Sequence, residues 1–469
     1  MIEQKKRVVD EVGQVYQLGK ELGRGGQGAV FAVENGNLAV KIIFDRSAAR
    51  RNHFKKQLTS VKMLCDIEKL FVARPREMLE APYVGYVMEL LTDMVPISKL
   101  INIPKNTNCL IEWYLEGGGL RRRLLLLARC AESLAQLHGK GLVYSDPSPN
   151  NIFISNDVSN NDIIRFIDAD NLQYSSSSSS INVYTPEFGA PELVTEKSGV
   201  NTLTDAHAFA VIAFKTLSLV HPLMGDMVND GEPELETQAL EGKLPWIDDP
   251  EDNQNSTNQG FPRDIVLSPY LIELSKKCFG VGLNQPSKRP GVGQWAERLY
   301  SAADCTICCP ECNSTYYIKK KKYNTTSYIN QTNCPWCDYP RPAFVQVAIQ
   351  RWEMLEGRFK EQKPLQILAL NSYEPLILTN RIISGRTGID SHNPNIELVL
   401  EGEIIKVRSV NGQCFWLTSE GTQIEKEVRD KWVRFPARTG KDGSWLLHFN
   451  HLDCSHRLAS FQLFRGENV

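Results

Sequence analysis

The sequence predicts a multidomain α+β protein: a small β-rich lobe carrying one helix, a larger helical lobe, a cysteine-rich segment and a β-rich tail. Three observations carry that prediction. Residues 18–44 read as two strands, Ala29–Val33 and Leu38–Phe44, about the turn Glu34-Asn35-Gly36-Asn37, and Asn-Gly is a strong hairpin signal. From Leu120 the spacing turns helical, with Leu124, Leu127, Ala131, Leu134 and Leu137 recurring at three and four residues. Six of the twelve cysteines crowd between Cys305 and Cys337, and beyond about Leu365 apolar and polar residues alternate in short segments.

Length and composition agree with this division. A chain of 469 residues exceeds one ordinary domain, and its expected parts are an N-terminal extension (1–15), a two-lobed domain (16–303), a cysteine unit (304–342), a linker helix (343–363) and a β-sandwich (364–469). Hydrophobic content of 42%, charged content of 23% and a net charge of -2 show no global bias toward nucleic acid or anionic membrane. No segment reaches the roughly 18 consecutive apolar residues of a membrane span, and Met1–Arg7 leads into no signal-peptide run. Clustered rather than evenly paired cysteines favour metal binding in a reducing compartment, so a cytoplasmic location is expected.

In the first lobe, Gly23-Arg24-Gly25-Gly26-Gln27-Gly28 fits GxGxxG, a motif shared with dinucleotide-binding folds. There the loop opens a helix; here it opens a hairpin whose second strand carries Ala39-Val40-Lys41. A glycine-rich hairpin lets backbone amides cover phosphates, with Lys41 reaching them. A helix is expected from Ala48 to about Lys69, and then two strands ending at Tyr86-Val87-Met88-Glu89. In the second lobe, Leu120–Leu137 delivers the chain to Tyr144-Ser145-Asp146-Pro147-Ser148-Pro149-Asn150-Asn151, where a carboxylate and an amide stand five residues apart. Ile164–Asp168 reads as a buried strand delivering an acid, and a second apolar helix runs from Asp205 to Leu219.

These motifs, in this order over some 270 residues, resemble those of a bacterial, eukaryotic-like serine/threonine protein kinase. Residues 144–151 resemble the catalytic loop HRDLKPxN, Asp168 stands in the place of the DFG aspartate, and Thr185–Glu192 resembles TPEYxAPE. The resemblance implies a bilobal kinase fold, with ATP held by Gly23, Gly25, Gly26, Gly28, Val30, Ala39, Lys41, Met88, Glu89 and Leu91. It implies Asp146 as base, Lys41 and Thr185 beside it, and Asn151 and Asp168 as ligands to Mg2+ or Mn2+. Glu192 and Arg289 are implied as a structural ion pair, and Asp205 as the buried anchor of the catalytic loop. Protein substrates are implied, together with a phosphatase or another protein of the same bacterial system.

Departures from the pattern define a rival. Tyr144 and Ser145 replace His and Arg, Ser148 replaces Lys, and Asp170, read as solvent-facing, replaces Gly. No glutamate sits where the helix should pair with Lys41: Gln57 is near that place and Glu68 is late. A pseudokinase scaffold that binds nucleotide without transferring phosphate is therefore the alternative. Small-molecule phosphorylation of the aminoglycoside-kinase kind is disfavoured by the Thr185–Glu192 match.

Cys309-Pro310-Glu311-Cys312 and Cys334-Pro335-Trp336-Cys337 are two CPxC knuckles, the spacing that tetrahedral Zn2+ takes, and they resemble a zinc ribbon. Cys305 and Cys308 form a competing upstream pair, which the prolines disfavour. Lys319–Lys322, with Tyr316, Tyr317 and Tyr323 beside it, is read as a solvated hairpin tip rather than a nucleic-acid contact. Ser384-Gly385-Arg386 and Phe461–Phe464 bear a weak resemblance to a forkhead-associated domain, but Ser391 directly precedes His392 where that family spaces them. A generic partner-recruiting sandwich is the expectation.

Overall fold

The computed structural model describes residues 6–26, 28–34, 36–62, 70–73, 75–169, 172–175, 184–321, 328–353, 358–359, 365–388, 390–419, 425–439 and 445–466. Gln27, Glu68, Asp170, Ser176–Ser180, Lys322 and Tyr323 lie outside them.

The first lobe is a six-stranded sheet in the order β1 (Arg7–Val9), β2 (Val15–Arg24), β3 (Gly28–Val33), β4 (Leu38–Ile43), β6 (Val84–Glu89) and β5 (Pro75–Met78). The described part of the expected extension, residues 6–15, is thus tied into the sheet. Buried Asp10 explains why: it accepts from the Tyr16 hydroxyl at 2.8 Å and the Gln14 amide at 2.8 Å, closing the β1–β2 turn. Helix α1 spans Ala48–Lys62 and buries Phe54 and Leu58 against the sheet, Phe54 stacking on Tyr86 at 5.9 Å.

The second lobe is helical. Between β7 (Met94–Pro96) and β8 (Leu142–Val143) lie α2 (Leu110–Glu116) and α3 (Gly119–Gly139), whose apolar stripe is buried as its spacing predicts. Strands β9 (Ile152–Ser155) and β10 (Ile164–Phe166) pair with each other and β9 with β7, while β11 (Gln173–Tyr174) pairs with β8. Helix α4 (Pro191–Val194) precedes α5 (Thr202–Ser218), which is capped reciprocally by Asn201 and Thr204 and buried along most of its length. The helix Val292–Asp304 packs along α3 and closes the lobe.

The expected linker helix 343–363 is a correction: Phe344–Glu353 is a strand, paired on one side with Gln366–Asn371 and on the other with His456–Phe464. Its spacing misleads because both faces are buried. Val345, Val347 and Ile349 enter the tail core, while Phe344 turns to the cysteine unit and stacks on Phe464 at 5.1 Å. Central burial of two faces erases the period-2 signal and leaves Phe344, Ala348 and Trp352 mimicking a helical face. The tail therefore begins near Phe344, as a seven-stranded and a four-stranded antiparallel sheet sharing one apolar core. Among the described residues no helix is long and apolar enough to cross a membrane.

Candidate active site

The glycine-rich segment closes the β2–β3 hairpin, with Gly23 opposite Val30 and the Gly25 amide donating to the Gly28 carbonyl at 2.9 Å. Only Gly28 is sterically compelled, since a Cβ there would stand 2.4 Å from the Ile42 carbonyl oxygen; Gly23, Gly25 and Gly26 face open space. A backbone bare of side chains on that side is what close approach to phosphates requires. Val30, Ala39 and Met88 come together in one apolar cluster with Leu90 beneath this hairpin. Glu89 ends β6 exposed and Leu91, two residues on, is half-buried.

Lys41 is buried on β4 opposite Tyr86, and its Nζ lies 2.8 Å from Asp168 Oδ1. Helix α1, Ala48–Lys62, contains no acidic residue, so within it the usual helical partner of the strand lysine is missing. Gln57 lies within α1, and Glu68 is outside the described residues.

Asp146 gathers the catalytic loop. One carboxylate oxygen accepts from the Thr185 amide at 2.7 Å and its hydroxyl at 2.8 Å; the other accepts from Asn151 Nδ2 at 3.2 Å. Burial raises the Asp146 pKa, against which the Thr185 and Asn151 hydrogen bonds act. With Nδ2 committed to Asp146, the Asn151 amide oxygen is the atom left to meet a cation. The Ile167 amide donates to the Asn151 carbonyl at 3.0 Å, which sets Asp168 beside the loop, and Asp168 itself takes a left-handed φ of 55°.

The supports of this loop are buried. Fully buried Asp205, at the start of α5, accepts from the Tyr144 amide at 2.8 Å and the Ser145 amide at 3.0 Å, and lies 2.9 Å from His138 Nε2. Tyr144 donates its hydroxyl to the Ile167 carbonyl, tying the loop to the strand that delivers Asp168. Gln173 Nε2 donates to the hydroxyl of Ser145 at 2.8 Å, tying the segment after Asp168 to the loop. Arg289 clamps Glu192 at 2.8 and 3.1 Å, both groups buried. His138 and Gln173 were missed in the sequence because neither belongs to a motif. His138 ends the same stripe as Leu134 and Leu137, and only its position six residues before Tyr144 points to it.

The cysteine unit is a second constellation. Sγ atoms of Cys309, Cys312, Cys334 and Cys337 all lie within 4.8 Å of one another, a set able to hold a metal ion. Both knuckles repeat one geometry: the Cys309 amide donates to Ser314 and the Cys334 amide to Tyr339, each at 2.8 Å, and the residues after the second cysteines, Asn313 and Asp338, have φ of 56° and 59°. Cys305 and Cys308 stand apart, each Sγ turned to a carbonyl, of Ile367 and Cys309 respectively. Trp336 anchors the unit to the helical lobe, stacked 5.6 Å from Tyr114 and edge-on to Phe261.

The protein kinase domain model matches residues 16–301. The chain is 24% identical to Protein kinase YegI of Escherichia coli (strain K12) over 355 residues, which is 71% of this chain and 50% of that protein. It is 32% identical to Serine/threonine-protein kinase pkn2 of Myxococcus xanthus over 139 residues, 25% of this chain and 16% of pkn2. It is 26% identical to Serine/threonine-protein kinase Pkn1 of the same organism over 221 residues, 43% of this chain and 29% of Pkn1. The chain thus spans half or less of the length of these three relatives. With the matched region covering both lobes and the Asp146, Asp168 and Glu192–Arg289 constellation, the chain belongs to the protein kinase family.

Proposed function

We propose that this chain transfers the γ-phosphoryl group of ATP to serine or threonine hydroxyls of proteins. The observation that carries the reading is the seat of Asp146: the Thr185 hydroxyl donates to its carboxylate at 2.8 Å, which supports a role for that carboxylate in accepting a substrate hydroxyl. The bare Gly23–Gly28 hairpin and Lys41 fit a triphosphate, and the apolar cluster of Val30, Ala39 and Met88, followed by Glu89 and Leu91, fits an adenine. Asp168 and Asn151 fit a magnesium or manganese ion, which when bound neutralises phosphate charge. Asp146 then receives the substrate proton, and Asp205 and His138 hold it in place through the loop amides. The names of pkn2 and Pkn1 support the serine/threonine preference.

The four-cysteine set fits a structural zinc ion, since four thiolates leave no open coordination position. The tail is read as a β-sandwich that recruits partners. A phosphothreonine-reading role is not extended to Ser391 or His392, both engaged with Glu132 at 3.1 and 2.8 Å.

Radiolabelled transfer from ATP, compared between wild type and Asp146→Asn, tests the reading. Incorporation into serine or threonine by wild type, lost in the variant with nucleotide binding retained, is expected. Wild type that binds ATP yet incorporates no more phosphate than Asp146→Asn, across metals and substrates, would replace the enzyme with a nucleotide-binding scaffold.

A further inference from the structure

Glu132, on α3, is a buried carboxylate, 3% exposed, that the proposed phosphotransfer does not use. Its Oε1 accepts from the Gly388 amide at 3.2 Å and the Ser391 hydroxyl at 3.1 Å. Its Oε2 accepts from the Tyr300 hydroxyl at 2.8 Å and lies 2.8 Å from His392 Nε2 and 3.2 Å from Arg129 Nη1. Burial alone would push this carboxyl up, but the His392, Tyr300 and Arg129 contacts outweigh it and hold it at about 2. Three of the five groups come from the tail, more than 250 residues downstream. They converge on one anion as a preorganised set of donors, the arrangement that compensates a buried charge.

Further contacts lie on the same face. Arg381 of the tail clamps Asp304 at 2.8 and 3.0 Å, and Gln366 also donates to Asp304. Arg121, at the start of α3, donates to the Thr306 carbonyl at 2.7 Å and pairs with Glu374. The far end of α3 is His138, which touches Asp205 and hence the Tyr144 and Ser145 amides.

We propose that Gly388, Ser391 and His392 form an anion cradle whose ligand is the Glu132 carboxylate, and that this clasp makes the tail a fixed part of the catalytic lobe, positioning α3 and through it the catalytic loop. This goes beyond the phosphotransfer reading, because the clasp exists whatever the site above it does. The test uses the full chain as wild type, Glu132→Gln, His392→Gln and the double variant, read by thermal unfolding and by amide hydrogen exchange. Each single variant should lower Tm, and the double variant should fall no further than the worse single one, because the two groups act as a unit. Exchange at Gly388, Tyr144 and Ser145 should rise about tenfold or more in each. Should Glu132→Gln fail to fold, Ser391→Ala removes one donor from the tail side and gives the same exchange readout. Additive Tm losses, or faster exchange at Gly388 with Tyr144 and Ser145 unaltered, would overturn the proposal.

Discussion

Lys41 Nζ lies 2.8 Å from the Asp168 carboxylate, so the two groups assigned to phosphate and to metal neutralise each other across the mouth of the site. On the proposed reading, ATP and a divalent ion would divide this pair, drawing Lys41 to the phosphates and Asp168 to the ion. Lys41→Met should therefore slow single-turnover transfer on the order of 100-fold, the usual cost of losing one preorganised charge. Asp168→Asn should remove the dependence of nucleotide affinity on metal, as read by titration calorimetry with and without magnesium.

The Glu192–Arg289 clamp is buried on both sides, with Arg289 also donating to the Leu203 and Gly282 carbonyls at 2.8 and 3.0 Å. Arg289→Leu leaves a carboxylate in the core with no counter-charge. Breaking a buried pair from one side costs roughly 3–5 kcal/mol, and chemical denaturation should show the unfolding free energy lowered by about that amount, with an earlier midpoint.

Removing Cys309 or Cys334 by substitution with serine should cost the chain about one equivalent of zinc by elemental analysis, whereas Cys305→Ser and Cys308→Ser should keep it. Because Trp336 is wedged against Tyr114 and Phe261, metal loss should also lower the Tm of the helical lobe. Retention of zinc in both knuckle variants would remove the assignment.

His221 reports on pH. The Leu223 amide donates to its Nδ1 at 3.1 Å, which leaves Nε2 to carry the proton and donate to the Glu187 carbonyl at 3.0 Å. Burial, and then Lys215, push its pKa down to about 4 from an ordinary 6.5. Between those values the unfolded chain binds more protons, so this contribution to stability is complete above pH 6.5 and is lost as pH falls toward 4. Buried His448, also lowered to about 4 by burial and His456, adds a loss of the same sign. Calorimetry should show Tm falling between pH 7 and 5, with a shallower slope in His221→Gln.

The catalytic lobe was legible because its groups sit in linear motifs: Asp146 with Asn151, Asp168 after its strand, and Thr185–Glu192. What joins the parts was not legible. Glu132 looks like one polar residue on an apolar helix, and nothing near it in the chain tells of Ser391 and His392. Likewise Phe344–Glu353 carries apolar residues on both faces, which reads equally as helix until two partner strands are known. Arg7–Val9 was too short for a strand to be read, although Asp10 and Tyr16 fix it. Linear motifs record chemistry, whereas contacts between distant segments leave a mark only on each partner separately.

The pairing of Phe344–Glu353 with His456–Phe464 has a consequence for synthesis. Phe344 faces Phe464 and Trp352 faces His456, so the middle of the larger sheet cannot close until some hundred further residues have left the ribosome. Until then Val345, Val347 and Ile349 lack Phe461 and Leu463 beside them in the core, and one edge of their strand stands unpaired, an arrangement prone to aggregation. A translational stall placed between residues 353 and 456 should therefore leave the nascent chain at its most prone to aggregation.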